Sequence, residues 1–319
     1  MVSIKYNNTY IKDWFSIAGP EEEKGNIKNI NLFIKDLYYG EKTLENAEIK
    51  MQKTVLNNLM SKNHFELVIG GDLSNQLGTM NIAMRDFKKS FLGVYNACAS
   101  FVESMIIASS MISAKQIESS CVLTSSHTLT SERQFRFPVE YGSLKACYTT
   151  CTITASVGAI LTNEKTKYKI ISGTIGNVVD YGINDVYNMG AVMAPAAASV
   201  INSHLFNNSK TIDDYDLILT GDLGELGNEL VIQVLQKDYG ITTDKIIDAG
   251  TLIYKSNQNK CMGGSGPSVI PLVLFNKILE NKKYKKILVV GTGALHNPTM
   301  VNQKNTIPAI AHAIEIEVQ

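Results

Sequence analysis

The sequence has no excess of either charge. Its 30 lysine and arginine residues balance 30 aspartate and glutamate residues, and its mean hydropathy is close to zero. Nucleic-acid-binding proteins usually carry a basic excess on one face, and disordered chains combine low hydrophobicity with high net charge. With 45% hydrophobic residues among 319, the chain is predicted to be a soluble globular protein without a nucleic-acid partner, built as about two domains or one large α/β unit.

Long apolar runs are also missing. Residues 1–29 are polar and rich in lysine, unlike a secretory signal, and we expect no export by that route. The most apolar stretch, 91–114, is interrupted by Asn96 and Glu103, whereas a membrane-spanning helix needs about 20 nearly uninterrupted apolar residues. This stretch is therefore predicted to be a buried helix.

Cysteine is scarce, and its spacing fits neither a metal site nor a disulfide framework. The five cysteines are an odd number, and none of them forms a Cys-x-x-Cys pair. This pattern is typical of free thiols in a reducing compartment. We expect no zinc, no disulfide and no cofactor.

The chain does contain an internal repeat. Residues 65–73 and 215–223 are both apolar runs that end in Gly-Asp-Leu, and 121–127 and 287–293 are both apolar runs that end in small residues. The paired segments occur in the same order along the chain. We predict two pseudo-repeated halves, 1–170 and 171–319.

The local pattern predicts parallel α/β structure in each half. Segments 67–69, 217–219 and 287–290 are continuously apolar, as expected for strands covered by helices on both faces. Segment 43–62 has helical spacing with one apolar face. Ligands of open α/β sheets bind at the carboxyl ends of the strands, so the residues that follow these strands are candidates for a site.

Cys98 is the sharpest candidate for chemistry. Its small neighbours Ala97, Ala99 and Ser100 allow a tight turn at the start of a helix, where backbone amides and the helix dipole lower a thiol pKa. A structural role as a small core residue is the alternative. Gly264 and Ser265 belong to a second glycine-rich turn, either an anion cradle or a close-packing turn.

Arginine is rare, and its placement is informative. Only three of the 30 basic residues are arginine, and Arg133 and Arg136 are predicted to share one short loop shortly after Ser125 and His127. A guanidinium binds a carboxylate through two parallel hydrogen bonds, so this segment indicates recognition of a planar carboxylate. A structural ion pair with Glu132 or Glu140 explains the same placement.

These features carry a family resemblance. The duplicated halves, the Cys98 turn and the glycine-rich turn resemble the thiolase and ketoacyl-synthase superfamily, which implies a five-layered αβαβα fold. Within it, the chain resembles the stage V sporulation protein AD family over nearly its whole length. The segments that carry this second resemblance are 71–76, 97–100, 125–127, 132–142, 188–190, 193–198, 219–223 and 291–295.

The resemblance implies a function. Members of that family bind dipicolinic acid (pyridine-2,6-dicarboxylic acid), free or as the calcium chelate, and take part in its uptake or release across the spore inner membrane. It further implies a homodimer, a peripheral position at that membrane, and partners among other spore membrane proteins of the same transport system.

The resemblance to condensing enzymes breaks down where catalysis needs it. Such enzymes have a histidine after the strand that corresponds to 217–219, and here the position falls at Asp222 and the three residues after it. Without a base, Cys98 is a poor nucleophile unless His127 or His296 reaches it. The sequence predicts a binding protein; the alternatives are an acyl-CoA condensing enzyme with Cys98 as nucleophile, and a purely structural subunit.

The predicted ligand site lies at the carboxyl edge of the first half. The carboxylates of the ligand need donors at both ends, for which Arg136 and the amides of Cys98 and Ala99 are candidates. The second-half cleft at Asp222 is the next place to look. The candidate binding residues are Asp72, Cys98, Ser125, His127, Arg133, Arg136, Asp222, Gly264 and Ser265.

Overall fold

The computed structural model describes residues 1–135 and 146–319. The strands are β1 (Val2–Lys5), β2 (Tyr10–Ala18), β3 (Leu32–Phe33), β4 (Leu67–Gly71), β5 (Ser90–Gly93), β6 (Ser119–Ser126), β7 (Cys151–Thr152), β8 (Ala155–Thr162), β9 (Tyr168–Ile175), β10 (Leu217–Thr220), β11 (Ile246–Asp248), β12 (Gly264–Ser265), β13 (Lys286–Ala294) and β14 (Ala309–Val318). The α-helices are α1 (Pro20–Glu23), α2 (Leu44–Met60), α3 (Gly78–Arg85), α4 (Ser100–Ser113), α5 (Thr128–Phe135), α6 (Met189–Asn207), α7 (Gly224–Tyr239), α8 (Val269–Val273) and α9 (Pro298–Asn302).

The two halves repeat one strand topology. In the first half the order across the sheet is β2-β8-β6-β4-β5, and in the second it is β9-β14-β13-β10-β11. Within each half the last strand lies beside the first and pairs antiparallel with the next, and the other three strands run parallel. The halves join where β2 pairs with β9 at Tyr10 and Ile11. The predicted repeat is confirmed, since β4 matches β10 and β6 matches β13.

The continuous apolar strands are buried on both faces. On β4, Ile69 belongs to the central core and Val68 to a core under α2 and α3. Between the two halves the core contains Phe101 of α4 and Phe275, whose ring centroids lie 5.9 Å apart. A third core packs α6 and α7 on the second half. The layers are therefore αβαβα, and the predicted thiolase-like class is confirmed.

The helix predicted over 43–62 is α2, which begins after Thr43. The Thr43 hydroxyl accepts the Asn46 N–H, as expected of an N-cap residue. The helix predicted over 91–114 was too long, because its first residues form β5 beside β4 and only Ser100–Ser113 is helical. The predicted division at residue 170 falls inside β9, and the boundary between the halves stays a prediction.

Among the described residues, α6 alone is long and apolar enough to span a membrane by length and composition. Of its most apolar window, 67% is buried inside the fold. It packs against α7 and the second-half sheet. Its apolar character is therefore explained by its place in the outer layer of that half.

Candidate functional site

A cavity of about 230 Å³ lies where the strand ends of the two halves meet. Residues after β4, β5 and β10 and at the end of β13 contribute to it, together with α5, the start of α6 and the β7–β12 pair. The lining residues are Leu73, Tyr95, Ala97, Cys98, Ser131, Phe135, Thr150, Thr152, Met189, Met193, Asp222, Ser265, Gly266, Ala294, Leu295, His296 and Asn297.

A strained turn presents Cys98 to the cavity. Ala97 has a φ of 49°, and the Ser100 hydroxyl donates to the Ala97 carbonyl while it accepts the Asn96 N–H. Gly293 of β13 packs against this turn, and a Cβ there would lie 2.6 Å from the Asn96 carbonyl oxygen. The turn therefore needs a glycine on the neighbouring strand, and it places Cys98 just before the first turn of α4.

Asp222 is the carboxyl group in the described lining of the cavity. It is buried with a φ of 52°, and it accepts the Gly266 N–H at 3.2 Å through Oδ2. Its Oδ1 lies 2.9 Å from the Thr292 hydroxyl. Burial raises the pKa of Asp222 to about 7, a hydrogen bond with Cys98 opposes this, and the nearby carboxyl of Asp248 adds to it.

One face of helix α5 lines the cavity, and another face packs against the rest of the first half. Ser131 and Phe135, four residues apart, line the cavity. On the other face the Thr130 hydroxyl donates to Glu48 at 3.3 Å. The Gln134 side chain accepts the Asn75 N–H and donates to the Leu73 carbonyl. The helix is thus held by α2 and by the turn after β4.

Two hydroxyl groups in the lining have no partner within the part of the chain that the structure describes. They are Oγ of Ser131 and Oγ1 of Thr150, both on residues that are more than nine-tenths buried. A buried polar group without a partner costs free energy, so such groups indicate a bound water or ligand. No lysine or arginine lines the cavity among the described residues.

Comparison with known proteins gives a consistent assignment. The family model for stage V sporulation protein AD (SpoVAD) matches residues 2–317. The chain belongs to the stage V sporulation protein AD family. Stage V sporulation protein AD of Bacillus subtilis (strain 168) is 38% identical over 311 residues, which cover 94% of this chain and 91% of that protein. Family membership gives the protein a role in sporulation.

Solved structures with the same fold are condensing enzymes. The 3-oxoacyl-[acyl-carrier-protein] synthase III of Aquifex aeolicus VF5 has a TM-score of 0.59 at 14% identity, covering 97% of this chain and 99% of that one. Cerulenin-bound OleA of Xanthomonas campestris has a TM-score of 0.61 at 15% identity, covering 98% and 100%. At such identities the likeness shows the fold alone.

The cavity brings together three of the eight predicted residues that the structure describes. Cys98 lines it from the first half, and Asp222 and Ser265 line it from the second. Gly264 is buried next to Ser265 in the β7–β12 pair but is not in the lining. The site therefore belongs to both halves and not to the first half alone.

Asp72, Ser125 and His127 lie in the first half with other partners. Asp72 accepts the N–H groups of Ser74 and Met80 at 2.6 and 2.7 Å, and is not in the lining. The Ser125 hydroxyl donates to Glu48 at 2.7 Å. His127 Nε2 lies 2.9 Å from the Leu37 carbonyl oxygen.

Burial shifts the pKa values of Glu48 and His127. It raises the pKa of Glu48 to about 8, with the nearby carboxyl of Asp72 as the second cause, and it lowers the pKa of His127. A neutral imidazole bonded to a carbonyl supplies no cation for a ligand. These side chains hold α2, α5 and the strand ends together.

The cationic end of the site differs from the prediction, because Arg133 lies on helix α5 and not in a loop. Arg133 is half exposed, and its Nη2 lies 3.5 Å from a Glu45 carboxylate oxygen of α2 instead of in the cavity lining. Arg136 lies outside the described residues. The Ala99 amide, predicted to receive a carboxylate, donates instead to the Asn96 carbonyl at 3.1 Å.

Sequence reasoning missed Ser131, Thr150 and Tyr95. Ser131 lies one helical turn before Phe135 on the same face of α5, and no helix was predicted there. Thr150 enters through the pairing of β7 with β12, a contact between positions more than 100 residues apart that local pattern does not reveal.

Proposed function

We propose that the protein binds dipicolinic acid in the cavity between its two halves, without catalysis, and so supports the movement of this acid across the spore inner membrane. The observation that carries the proposal is the pair of unpartnered hydroxyls, Ser131 and Thr150, in a small and otherwise mostly apolar cavity. Membership of the sporulation family gives the biological setting.

The size and lining of the cavity suit one small flat ring. Pockets for drug-sized ligands have volumes of roughly 300 to 1,000 Å³, and this cavity has a volume of about 230 Å³. Phe135 and Met193 provide apolar surface for the ring. The Ser131 and Thr150 hydroxyls are buried donors without a partner in the described chain, and a rotation about the Cα–Cβ bond would turn either one towards a ligand carboxylate.

The contact between Cys98 and Asp222 supports a function without catalysis. A protonated carboxyl cannot take the thiol proton, and burial favours the protonated form of Asp222. That form does not generate the thiolate that acyl transfer needs.

A condensing enzyme is the second candidate, because Cys98 lies on a strained turn before a helix and His296 lines the same cavity. This candidate requires His296 to serve as the base. It predicts that an acyl-CoA transfers its acyl group to Cys98.

One pair of measurements separates the two candidates. Calorimetry with dipicolinate should show saturable binding, weakened or strengthened in Cys98→Ala because that side chain lines the cavity. Incubation with labelled acyl-CoA should leave the protein unlabelled. Cys121→Ala is the matched control, since Cys121 is buried under α2 and away from the lining. Labelling that disappears in Cys98→Ala alone would favour the enzyme.

We also propose that the protein forms a homodimer through β5 and acts at the spore inner membrane with other membrane proteins of the same transport system. In the described chain β5 pairs only with β4 and lies at the sheet edge, with Leu92 and Tyr95 43% and 46% exposed. Such an edge can pair with another strand. Sedimentation should give a dimer at micromolar concentration, and Leu92→Lys should shift it towards monomer; a wild-type monomer would refute the dimer.

A further inference from the structure

We propose that the protonation state of Asp222 selects the charge of the ligand. The protonated form of Asp222 permits an anion to bind in the cavity. When an anion binds to protein in which Asp222 is ionised, Asp222 takes up one proton. This inference rests on the proposed function, because it concerns the same cavity. It adds the form of the ligand that binds best, and a proton that accompanies it. The proton comes from solvent and no covalent bond other than the O–H bond changes.

The hydrogen bonds of the Thr292 hydroxyl bear on the protonation state of Asp222. The Thr292 hydroxyl has one hydrogen and forms a very short contact with the Gly221 carbonyl oxygen, which can only accept. The same Thr292 oxygen lies 2.9 Å from Oδ1 of Asp222. Its single hydrogen is therefore shared between two acceptors, the Gly221 carbonyl and the Asp222 carboxyl. A shared hydrogen bond stabilises the charged form of Asp222 less than an undivided one, which favours the protonated form.

The groups that face Asp222 come from several elements. Cys98 approaches from the turn before α4, Thr292 from β13, and Gly266 from the turn after β12. His296 lines the same cavity after β13. Asp248, at the end of β11, is the other carboxyl whose charge acts on Asp222.

Of the two carboxyls, Asp248 is better suited to hold a negative charge. It accepts the N–H groups of Leu223, Gly224 and Gly250, each at 3.0 Å, and the Thr220 hydroxyl at 3.1 Å. Asp222 accepts one backbone N–H in the described structure, from Gly266. Hydrogen bonds to a carboxylate stabilise its charged form, so the proton belongs on Asp222. Burial raises the pKa of both groups to about 7.

The proton on Asp222 affects ligand binding because few other charged groups line the described cavity. Asp222 is the only carboxyl in the described lining, and no described lysine or arginine offsets it there. An anion therefore meets repulsion from ionised Asp222 and a hydrogen-bonding partner in protonated Asp222. Affinity for an anion should be constant below about pH 7 and fall by up to tenfold per pH unit above it.

The probe for the test is potassium pyridine-2,6-dicarboxylate without calcium. Its carboxyl groups are ionised from pH 6 to 8, as carboxyls ordinarily are, so they do not contribute protons. Calorimetry in two buffers of different ionisation enthalpy gives the number of protons exchanged. At pH 8 we expect uptake of close to one proton per ligand, and at pH 6 close to none.

Variants and the calcium chelate sharpen the result. Asp222→Asn keeps the shape of the side chain but cannot titrate, so its affinity should be independent of pH and its proton exchange close to zero. The 1:1 calcium chelate is neutral and should bind the wild type without proton uptake. Proton uptake that survives in Asp222→Asn would assign the proton to another group, such as His296, and overturn the proposal.

A ligand-free measurement separates this inference from the proposed function. The infrared absorption of protonated carboxyls should decrease between pH 6 and 8 in the wild type, and this decrease should be smaller by one carboxyl in Asp222→Asn. If dipicolinate does not bind at either pH, the proposed function fails. If it binds without proton uptake at pH 8, or if no carboxyl titrates at Asp222, this inference fails while the proposed function stands.

Discussion

Asp72 and Asp222 occupy the same position in the two repeats, yet they have different roles. Each lies in a Gly-Asp-Leu sequence at the carboxyl end of a matching strand, β4 or β10. Asp72 turns into its own half and accepts the N–H groups of Ser74 and Met80 near the start of α3. Asp222 faces the cavity and contacts Cys98 and Thr292.

Asp248 explains how the second half permits this difference. It accepts the N–H groups of Leu223 and Gly224, and Gly224 corresponds in the repeat to Ser74. The carboxyl that Asp72 supplies from inside its motif is thus supplied in the second half by the end of β11. This leaves Asp222 available to the cavity, so a repeated motif gives a structural residue once and a site residue once.

Removal of the two carboxyls should therefore have unequal effects on stability, and this is the largest effect we expect. Asp72→Ala leaves the N–H groups of Ser74 and Met80 without their acceptor and should lower the free energy of unfolding by about 3 kcal/mol. Asp222→Asn should not lower it at pH 7, because asparagine keeps an acceptor for Gly266 and carries no buried charge. Urea denaturation of both variants tests this, and equal losses would contradict the division of roles.

The pH dependence of stability should change in Asp222→Asn. The folded-state pKa of Asp222 is raised from 3.8 to about 7, so the folded protein binds this proton more tightly than the unfolded chain. The free energy of unfolding should then fall as pH rises from about 4 to 7, by up to about 1.4 kcal/mol per pH unit for this one group, and level off above 7. Urea titrations at pH 5, 6, 7 and 8 should give a slope smaller by one proton in the variant. Identical slopes would show that Asp222 is ionised across this range.

The two faces of α5 offer a smaller and complementary contrast. Ser131→Ala should weaken dipicolinate binding by about 1 kcal/mol, because it removes a donor to the ligand, and should leave stability unchanged or slightly higher. Thr130→Ala is the neighbouring control: it removes a bond to Glu48 and should lower stability by about 1 kcal/mol. Calorimetry and thermal unfolding of both variants check this. Equal affinity in Ser131→Ala and the wild type would remove Ser131 from the site.

Much of the fold could be predicted from the sequence, because its signals are local. The apolar runs at β4, β10 and β13 and the apolar face of α2 depend on residue order alone, and the repeat follows from comparing the chain with itself. The residues from 91 to 93 were assigned to a helix in error, whereas the turn predicted at Cys98 is confirmed. The apolar character of these residues serves the edge strand β5, which hydrophobicity does not distinguish from a helix.

The site was harder to predict, because it depends on which way side chains point. Cys98, Asp222 and Ser265 were identified from turns at strand ends, and the structure brings them together. Ser125 lies at the end of β6 and His127 directly follows that strand, yet both side chains turn into the first half towards Glu48 and Leu37. Their orientation depends on the packing of α2 and of residue 37 against that end, contacts between distant parts of the chain.

The central claim is that dipicolinate occupies the cavity between the halves, and a crystal structure with the bound ligand tests it most directly. We predict its ring against Phe135, a carboxylate within hydrogen-bond distance of the Ser131 or Thr150 hydroxyl, and Cys98 unmodified. Ligand found only elsewhere, for example in the surface groove beside Lys255 and Lys260, with the cavity filled by water alone, would contradict the account.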